Sequence, residues 1–336
     1  MGSLVWTDVR TMQWDEAMSP IDRVVGWGGL RTETVGICGS EVSAYLGENE
    51  LRVPPLVMGH EFAGRLEEDV PHRNLKAGDL VTVNPLVTCG SCEDCRSGQR
   101  QYCRQRRLIG VDFPGAFASR FAVPLDQCYA ISDPIQGALV EPLACAIRAV
   151  NQAQVQPDHV MLVLGAGIIG LLSAWVAHRR GARRVVIADT NAQRLGHVAS
   201  FGADIAVDAS KDGAVDAARK LEARGFDRVI DAVGLRVTRS DALKMLRRGG
   251  RVVFLGLHEK DAVLPGNGIV RDEFEIVGSF CYNDQEFEEA VSWMNAGALT
   301  PSASWLDIRS ITEGAQAFQE QADGPAPFPK ILLQMS

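Results

Sequence analysis

Between residues 160 and 280 short apolar runs alternate with stretches of helical spacing, and no other feature of this sequence restricts the fold as much. VMLVL is followed by GLLSAWVAHRR, RVVIAD by AQRLGHVASF, DIAVD by GAVDAARKLEA and DRVIDAV by RSDALKMLRR; RVVFLGL and FEIVGSF close the series. A strand that rejoins its sheet through a helix runs parallel to its neighbour, so the alternation predicts an α/β unit: a parallel sheet of six strands, helices on both faces. Residues 160–177 carry no charge over nearly the length of a bilayer-crossing helix. Gly165, Gly167 and Gly170 fall inside that run, and such clustering suits a tight turn far better than a helix interior.

Those three glycines read GAGIIG directly after the strand VMLVL and directly before a helical run. In that setting they allow a tight turn, close approach of the backbone to a pyrophosphate, and close packing of helix on strand, with the helix N-terminus facing the phosphates. The next strand ends in Asp189, 19 residues beyond Gly170. A carboxylate there accepts hydrogen bonds from the adenosine ribose hydroxyls and repels a 2′-phosphate, which favours NAD over NADP. Arg183, Arg184 and Arg194 lie near enough in sequence to keep NADP as the lesser alternative.

A chain of 336 residues exceeds one comfortable core, and two domains are expected. The first 150 residues have a loop-rich β texture, as in AGDLVTVNP and FASRFAVP. Boundaries are expected at 1–145 for a β-rich domain with the metal sites, 146–280 for the nucleotide domain, and 281–336 for a segment packing back on the first. The formal net charge of -8 gives no attraction to nucleic acid or an anionic membrane, so partners should be small molecules. The N-terminus lacks a signal-peptide pattern, which implies a cytoplasmic chain with reduced thiols.

Cys89, Cys92, Cys95 and Cys103 are spaced CxxCxxCx7C, which suits four thiolates closing a tetrahedral shell around a structural zinc. Iron–sulfur ligation also repeats CxxC, but the terminal Cys-Pro common there is missing. Cys38 is followed 22 residues later by His60 and Glu61 in GHEFAG. Cysteine, histidine and carboxylate are zinc ligand types, and three protein ligands plus water leave a position open to substrate. Another lone carboxylate, Glu141, stands where the β-rich domain hands over to the nucleotide domain, a place where a cleft would form. Cys128 and Cys145 read as buried small hydrophobes.

GICGSE, GHEFAG, the four-cysteine lobe, GAFASRFAVP, EPLACAIRAV, GAGIIG with Asp189, and RGGRVVFLGL together resemble the zinc-dependent medium-chain alcohol dehydrogenases, in the branch of sorbitol and threonine dehydrogenases. The resemblance covers nearly the whole chain. It implies a GroES-like catalytic domain and a Rossmann nicotinamide domain. It implies Cys38, His60 and Glu61 as catalytic zinc ligands, with Glu141 near enough to exchange onto the metal or hold its water. Asp189 and Arg194 would grip the adenosine end, while Ile169, Leu255, Gly256 and Leu257 would line the cofactor. The expected activity is hydride transfer between a secondary alcohol (a polyol, cyclitol, modified sugar or biosynthetic intermediate) and NAD, in a homodimer or homotetramer. A non-catalytic, zinc-stabilised nucleotide-binding or regulatory protein is the alternative.

The chain also departs from the family. Glu41 stands for an aspartate and Ser43 for a histidine; Ala44 and Cys281 replace a tyrosine and an arginine that meet substrate hydroxyls, while Tyr282 remains. Glu41 is expected to bond His60, and Ser40 to begin a proton relay for which Ser43 is a poorer exit.

Overall fold

The structure, a computed structural model, describes residues 2–16, 24–210, 214–324 and 327–335. The chain divides into two compact units, one of Met1–Glu141 with Asn283–Ser336 and one of Pro142–Tyr282.

The second unit is built on six parallel strands in the spatial order Ile205–Asp208, Arg184–Asp189, Val160–Leu164, Phe226–Asp231, Leu246–Phe254 and Glu275–Gly278. Counted along the chain this is 3-2-1-4-5-6, the doubly wound order whose reversal point lies beside the first strand. Every residue of Val160–Leu164 is buried, as a strand covered by helices on both faces requires. The charge-free run breaks at the glycines into that strand and the helix Ile168–Arg179. Among the described residues no helix is long and apolar enough to cross a membrane.

Two local expectations differ from the structure. AQRLGHVASF is one turn of helix, Ala192–Leu195, capped at Gly196 and followed by a 3-10 turn at Val198–Phe201. Glycine weakens a helix interior, and here it ends one. The helix in RSDALKMLRR stops at Met245, because Leu246 already pairs with Phe226 in the sheet. Gly213, at the head of the helix expected in GAVDAARKLEA, lies outside the described residues; the helix is described over Ala214–Leu221.

The first unit carries a seven-stranded sheet ordered Leu306–Ser310, Lys330–Gln334, Trp27–Gly36, Glu61–Leu66, Leu80–Val83 and Cys128–Ala130, with Arg120–Pro124 also paired to Trp27–Gly36. Among the described residues of this sheet, only Leu306–Ser310 and Lys330–Gln334 pair in parallel. Leu30, Val35, Phe62, Val81, Phe121 and Leu333 are buried in its core, each contributing about 1.5–3 kcal/mol for a fully buried side chain of this size. The Phe62 and Phe121 rings meet edge to face with centroids 5.0 Å apart. The register matters most at one end, where Gly36 opposes both Glu61 and Leu332. Cys38 lies just beyond the first of these strands, Glu61 begins the second, and Lys330 begins the third.

Candidate active site

Cys38 caps the helix Gly39–Tyr45 with extended backbone, and Glu41 occupies the third position of that helix. The Glu41 carboxylate is fully buried and every contact it makes holds the site together. One oxygen accepts the Cys38 amide at 3.0 Å; the other accepts the Gly59 amide at 2.8 Å and lies 2.8 Å from His60 Nδ1. A carboxylate only accepts, so Nδ1 carries a proton, and Nε2 is the nitrogen a metal would take by displacing the other proton. The extra methylene of glutamate therefore still reaches the ring, as expected from sequence. Burial alone would push the Glu41 carboxyl up, but His60, Arg52 and the Cys38 amide carry it below its ordinary range. Burial likewise opposes a charge on His60, while Glu41 and Cys38 raise its pKa well above the usual histidine range.

Glu61 and Lys330 are both buried, and the ammonium donates to Glu61 Oε2 and, at 2.9 Å, to the Ile37 carbonyl. Burial would discharge the lysine; Glu61 and Cys38 instead hold its pKa above normal. Gly36 makes room for the pair, since a Cβ there would lie 2.5 Å from Glu61 Oε2 and 2.7 Å from Lys330 Cε. Sequence reasoning missed Lys330, because a lysine at the head of an apolar strand reads as a solvent-facing residue.

Donor atoms of Cys38, His60 and Glu61 all lie within 4.8 Å of one another, so the three can share one metal ion. Glu141 does not join that group; it sits buried in the first turn of the helix Val140–Ala153. Ser40 donates its hydroxyl to Cys38 Sγ at 3.3 Å and accepts from Arg52 Nη2 at 3.2 Å. Arg52, buried and unmarked by any motif, is the second residue that sequence reasoning overlooked.

Cys89, Cys92, Cys95 and Cys103 form the other candidate metal group among the described residues. Their sulfurs are 3.8 Å (Cys89 to Cys95), 3.4 Å (Cys92 to Cys95) and 3.6 Å (Cys89 to Cys103) apart. A tetrahedron of ~2.3 Å zinc–sulfur bonds has edges of ~3.8 Å, so these thiols fit a closed four-thiolate shell. The amides of Ser91 and Cys92 lower the Cys89 thiol to about 6, while, against the Cys95 amide, hydrogen bonds with the neighbouring sulfurs and burial push Cys92 up to about 12, so a metal would have to displace protons from part of the set.

In the second unit, Gly165 takes φ +100° and its amide bonds the Ala188 carbonyl at 2.8 Å. A Cβ on Gly170 would lie 1.9 Å from the Gly165 carbonyl oxygen, so only glycine lets the helix pack on this turn. Nothing lies within 4 Å of a Cβ built on Gly167, the helix N-cap, which leaves the space a pyrophosphate would fill. Asp189 accepts the Ala166 amide at 2.5 Å and the Asn191 amide at 2.7 Å, and each oxygen keeps a lone pair for a ribose hydroxyl. Beside it, Asn191 Nδ2 and Arg194 Nε are buried donors with no partner, as an adenosine site would leave them. Ile169 is half-buried on the same helix. The amides of Leu255 and Gly256 both bond the Asp231 carbonyl at 3.0 Å, and Leu257 is exposed. Asp231, at the end of its strand, was not foreseen: one carboxylate oxygen accepts the Val233 and Gly234 amides, and burial pushes its pKa up.

Comparison with known proteins accords with this chemistry. Residues 26–133 match the alcohol dehydrogenase GroES-like domain and residues 169–296 the zinc-binding dehydrogenase domain. The chain is 34% identical to L-idonate 5-dehydrogenase of Vitis vinifera over 268 residues, covering 76% of this chain and 73% of that protein. It is 31% identical to a probable D-xylulose reductase A of Emericella nidulans over 320 residues, covering 91% and 88%. Among solved structures, a short chain alcohol dehydrogenase of E. coli CFT073 complexed with NADH superposes with a TM-score of 0.88 at 25% identity, over 99% of each chain. The chain belongs to the zinc-dependent medium-chain alcohol dehydrogenases, and within them it is sorbitol dehydrogenase-like.

Proposed function

We propose that Cys38, His60 and Glu61 hold the catalytic zinc, and Cys89, Cys92, Cys95 and Cys103 the structural zinc, of an NAD-dependent dehydrogenase for a polyhydroxylated secondary alcohol. The mutual approach of the three donor atoms to within 4.8 Å, with His60 locked by Glu41, carries this conclusion. Zinc held there would supply Lewis acidity, lowering the pKa of a bound water or alcohol toward neutrality, and nicotinamide would supply the hydride acceptor. Glu41 fixes the tautomer of His60, and Lys330 holds Glu61 at the edge of the ligand set. Asp189 orients the adenosine ribose. The relatives named for idonate and xylulose support a sugar-derived substrate.

Metal analysis and turnover test this together. Two zincs per chain, and NADH formed from at least one of a panel of polyols, cyclitols, amino alcohols and sugar phosphates, are expected. One zinc per chain with no NADH from any of them would sink the proposal.

The choice of NAD rests on Asp189. Asp189→Ala removes charge-assisted hydrogen bonds worth about 1.5–3 kcal/mol, or about 10- to 100-fold, so kcat/KM for NAD should fall by that factor while that for NADP does not. An unchanged NAD to NADP ratio in the variant, with the melting temperature preserved, would overturn the cofactor assignment.

A homodimer is the proposed assembly. The strand Glu275–Gly278 ends its sheet with no outer partner among the described residues, and Val263 and Val270, shortly before it in sequence, are 94% and 76% exposed. A bare edge beside exposed apolar side chains invites pairing with a second copy. Sedimentation should give a dimer for the unaltered chain and a monomer for Val270→Glu; a monomeric unaltered chain contradicts the proposal. A cytoplasmic setting accords with eight free cysteines.

A further inference from the structure

Arg52 stands outside every motif of the sequence, yet it is 5% exposed and reaches both the segment that carries Cys38 and the loop at Gly110 that packs on Gly59. Its Nη1 donates to the Ser40 carbonyl at 3.2 Å, its Nη2 to Ser40 Oγ at 3.2 Å, and its Nε to the Gly110 carbonyl at 3.2 Å. Gly110 packs directly on the residue before His60, since a Cβ at Gly110 would lie 2.9 Å from the Gly59 amide nitrogen. One guanidinium thus braces the Cys38 segment against the loop that supports His60. Only a planar fork can serve three acceptors so placed; a lysine ammonium presents a single point.

The direction of the hydrogen bonds is fixed by chemistry. Arginine cannot accept, so Ser40 Oγ accepts from Arg52, and the one hydroxyl proton of Ser40 is directed at Cys38 Sγ. A charged donor at the head of such a chain polarises the next bond and strengthens it. Sulfur that accepts a stronger hydrogen bond donates less electron density to a metal.

We propose that Arg52 is a positioning residue that, through Ser40, draws charge from the Cys38 thiolate and so keeps the catalytic metal electron-poor. This rests on Cys38 being a ligand of that metal. Partners of metal ligands commonly alter affinity or activity by about 10- to 100-fold when removed.

The test uses the full chain with zinc retained in the four-cysteine lobe and cobalt exchanged into the Cys38 site, and reads the thiolate-to-cobalt charge-transfer band. Arg52→Met, Arg52→Lys and Ser40→Ala are expected to shift the band to lower energy, because the sulfur loses its polarised donor. Ser40→Thr, which keeps a hydroxyl, should restore it. In the zinc enzymes, kcat should fall about 10- to 100-fold in the three shifted variants with KM for NAD unchanged. Should Arg52→Met fail to fold, Ser40→Ala decides, since it removes only one hydroxyl. An unmoved band in Ser40→Ala, or in a folded Arg52→Met whose melting temperature alone falls, would show a structural brace and overturn the proposal. Failure of the unaltered chain to take up cobalt outside the lobe would instead overturn the Cys38 site, and the proposal with it.

Discussion

Cys38→Ala should lower turnover by roughly 1,000-fold or more while leaving the melting temperature almost unchanged. The thiol is half-buried and its sulfur receives the Ser40 hydroxyl, whereas the cap of its helix is made by backbone: the Glu41 and Val42 amides bond the Cys38 carbonyl at 3.0 and 3.2 Å. Alanine preserves those bonds, the Glu41–His60 contact and the Glu61–Lys330 pair. What it removes is one of the three donors proposed for a metal whose stabilisation of developing charge would be worth several kcal/mol. At about 1.4 kcal/mol per tenfold, roughly 4 kcal/mol is about 1,000-fold. Metal content, NADH formation and thermal melting measured on one preparation check this. A variant that melts at room temperature, or one that keeps its full zinc content and rate, contradicts the assigned role.

Cys95→Ser should act in the opposite sense, on stability first. Cys95 is buried, and its sulfur is the one that approaches both Cys89 and Cys92. The lobe around it is thinly packed: Arg96, Arg104, Gln105, Arg106 and Arg107 are exposed, and its regular structure is one turn of helix at Glu93–Arg96, a 3-10 turn at Arg100–Tyr102 and, at its base, the short ladder of Leu86–Val87 with Arg107–Leu108. Such a lobe is expected to depend on the metal proposed for it, and structural zinc sites bind with about 10–16 kcal/mol of apparent free energy. If a quarter of that is lost from the folded state, about 3 kcal/mol, the melting temperature falls by about 6–12 °C at roughly 2–4 °C per kcal/mol. Trypsin should then cut at Arg104, Arg106 or Arg107 well before it attacks the unaltered chain. Equal melting temperatures and equal proteolysis would show that the lobe is held by something else.

Legibility in the sequence followed distance along the chain. The six parallel strands could be read because each is a local apolar run, buried throughout in the case of Val160–Leu164. The four-cysteine lobe could be read because all its ligands fall between Cys89 and Cys103, and the glycine turn because strand, turn and helix are contiguous. Helix ends were harder: Met245 ends a helix because Leu246 has a partner in the sheet, which no local preference reports. The hidden parts of the site are long-range pairs. Lys330 lies 269 residues from Glu61, and Arg52 lies 58 residues from Gly110 and 12 from Ser40. Neither obeys a period or a motif. Glu141 is a different case: a carboxylate near a domain boundary gives a type of ligand but no direction, and the donors gathered within 4.8 Å are those of Cys38, His60 and Glu61.

The interrupted path of the first unit also dictates an order of manufacture. Its sheet is complete only when Lys330–Gln334 lies against Trp27–Gly36, and the cation that steadies Glu61 arrives with that last strand. About 230 residues separate Cys103 from Lys330, so at about 5–20 residues per second the ribosome takes roughly 10–45 s to pass from one to the other. Through that interval all four cysteines of the lobe are available to an ion, while one edge of the sheet beside Cys38 is bare and the cation that pairs with Glu61 has not yet been made. A metal supplied during synthesis is therefore expected to reach the lobe first.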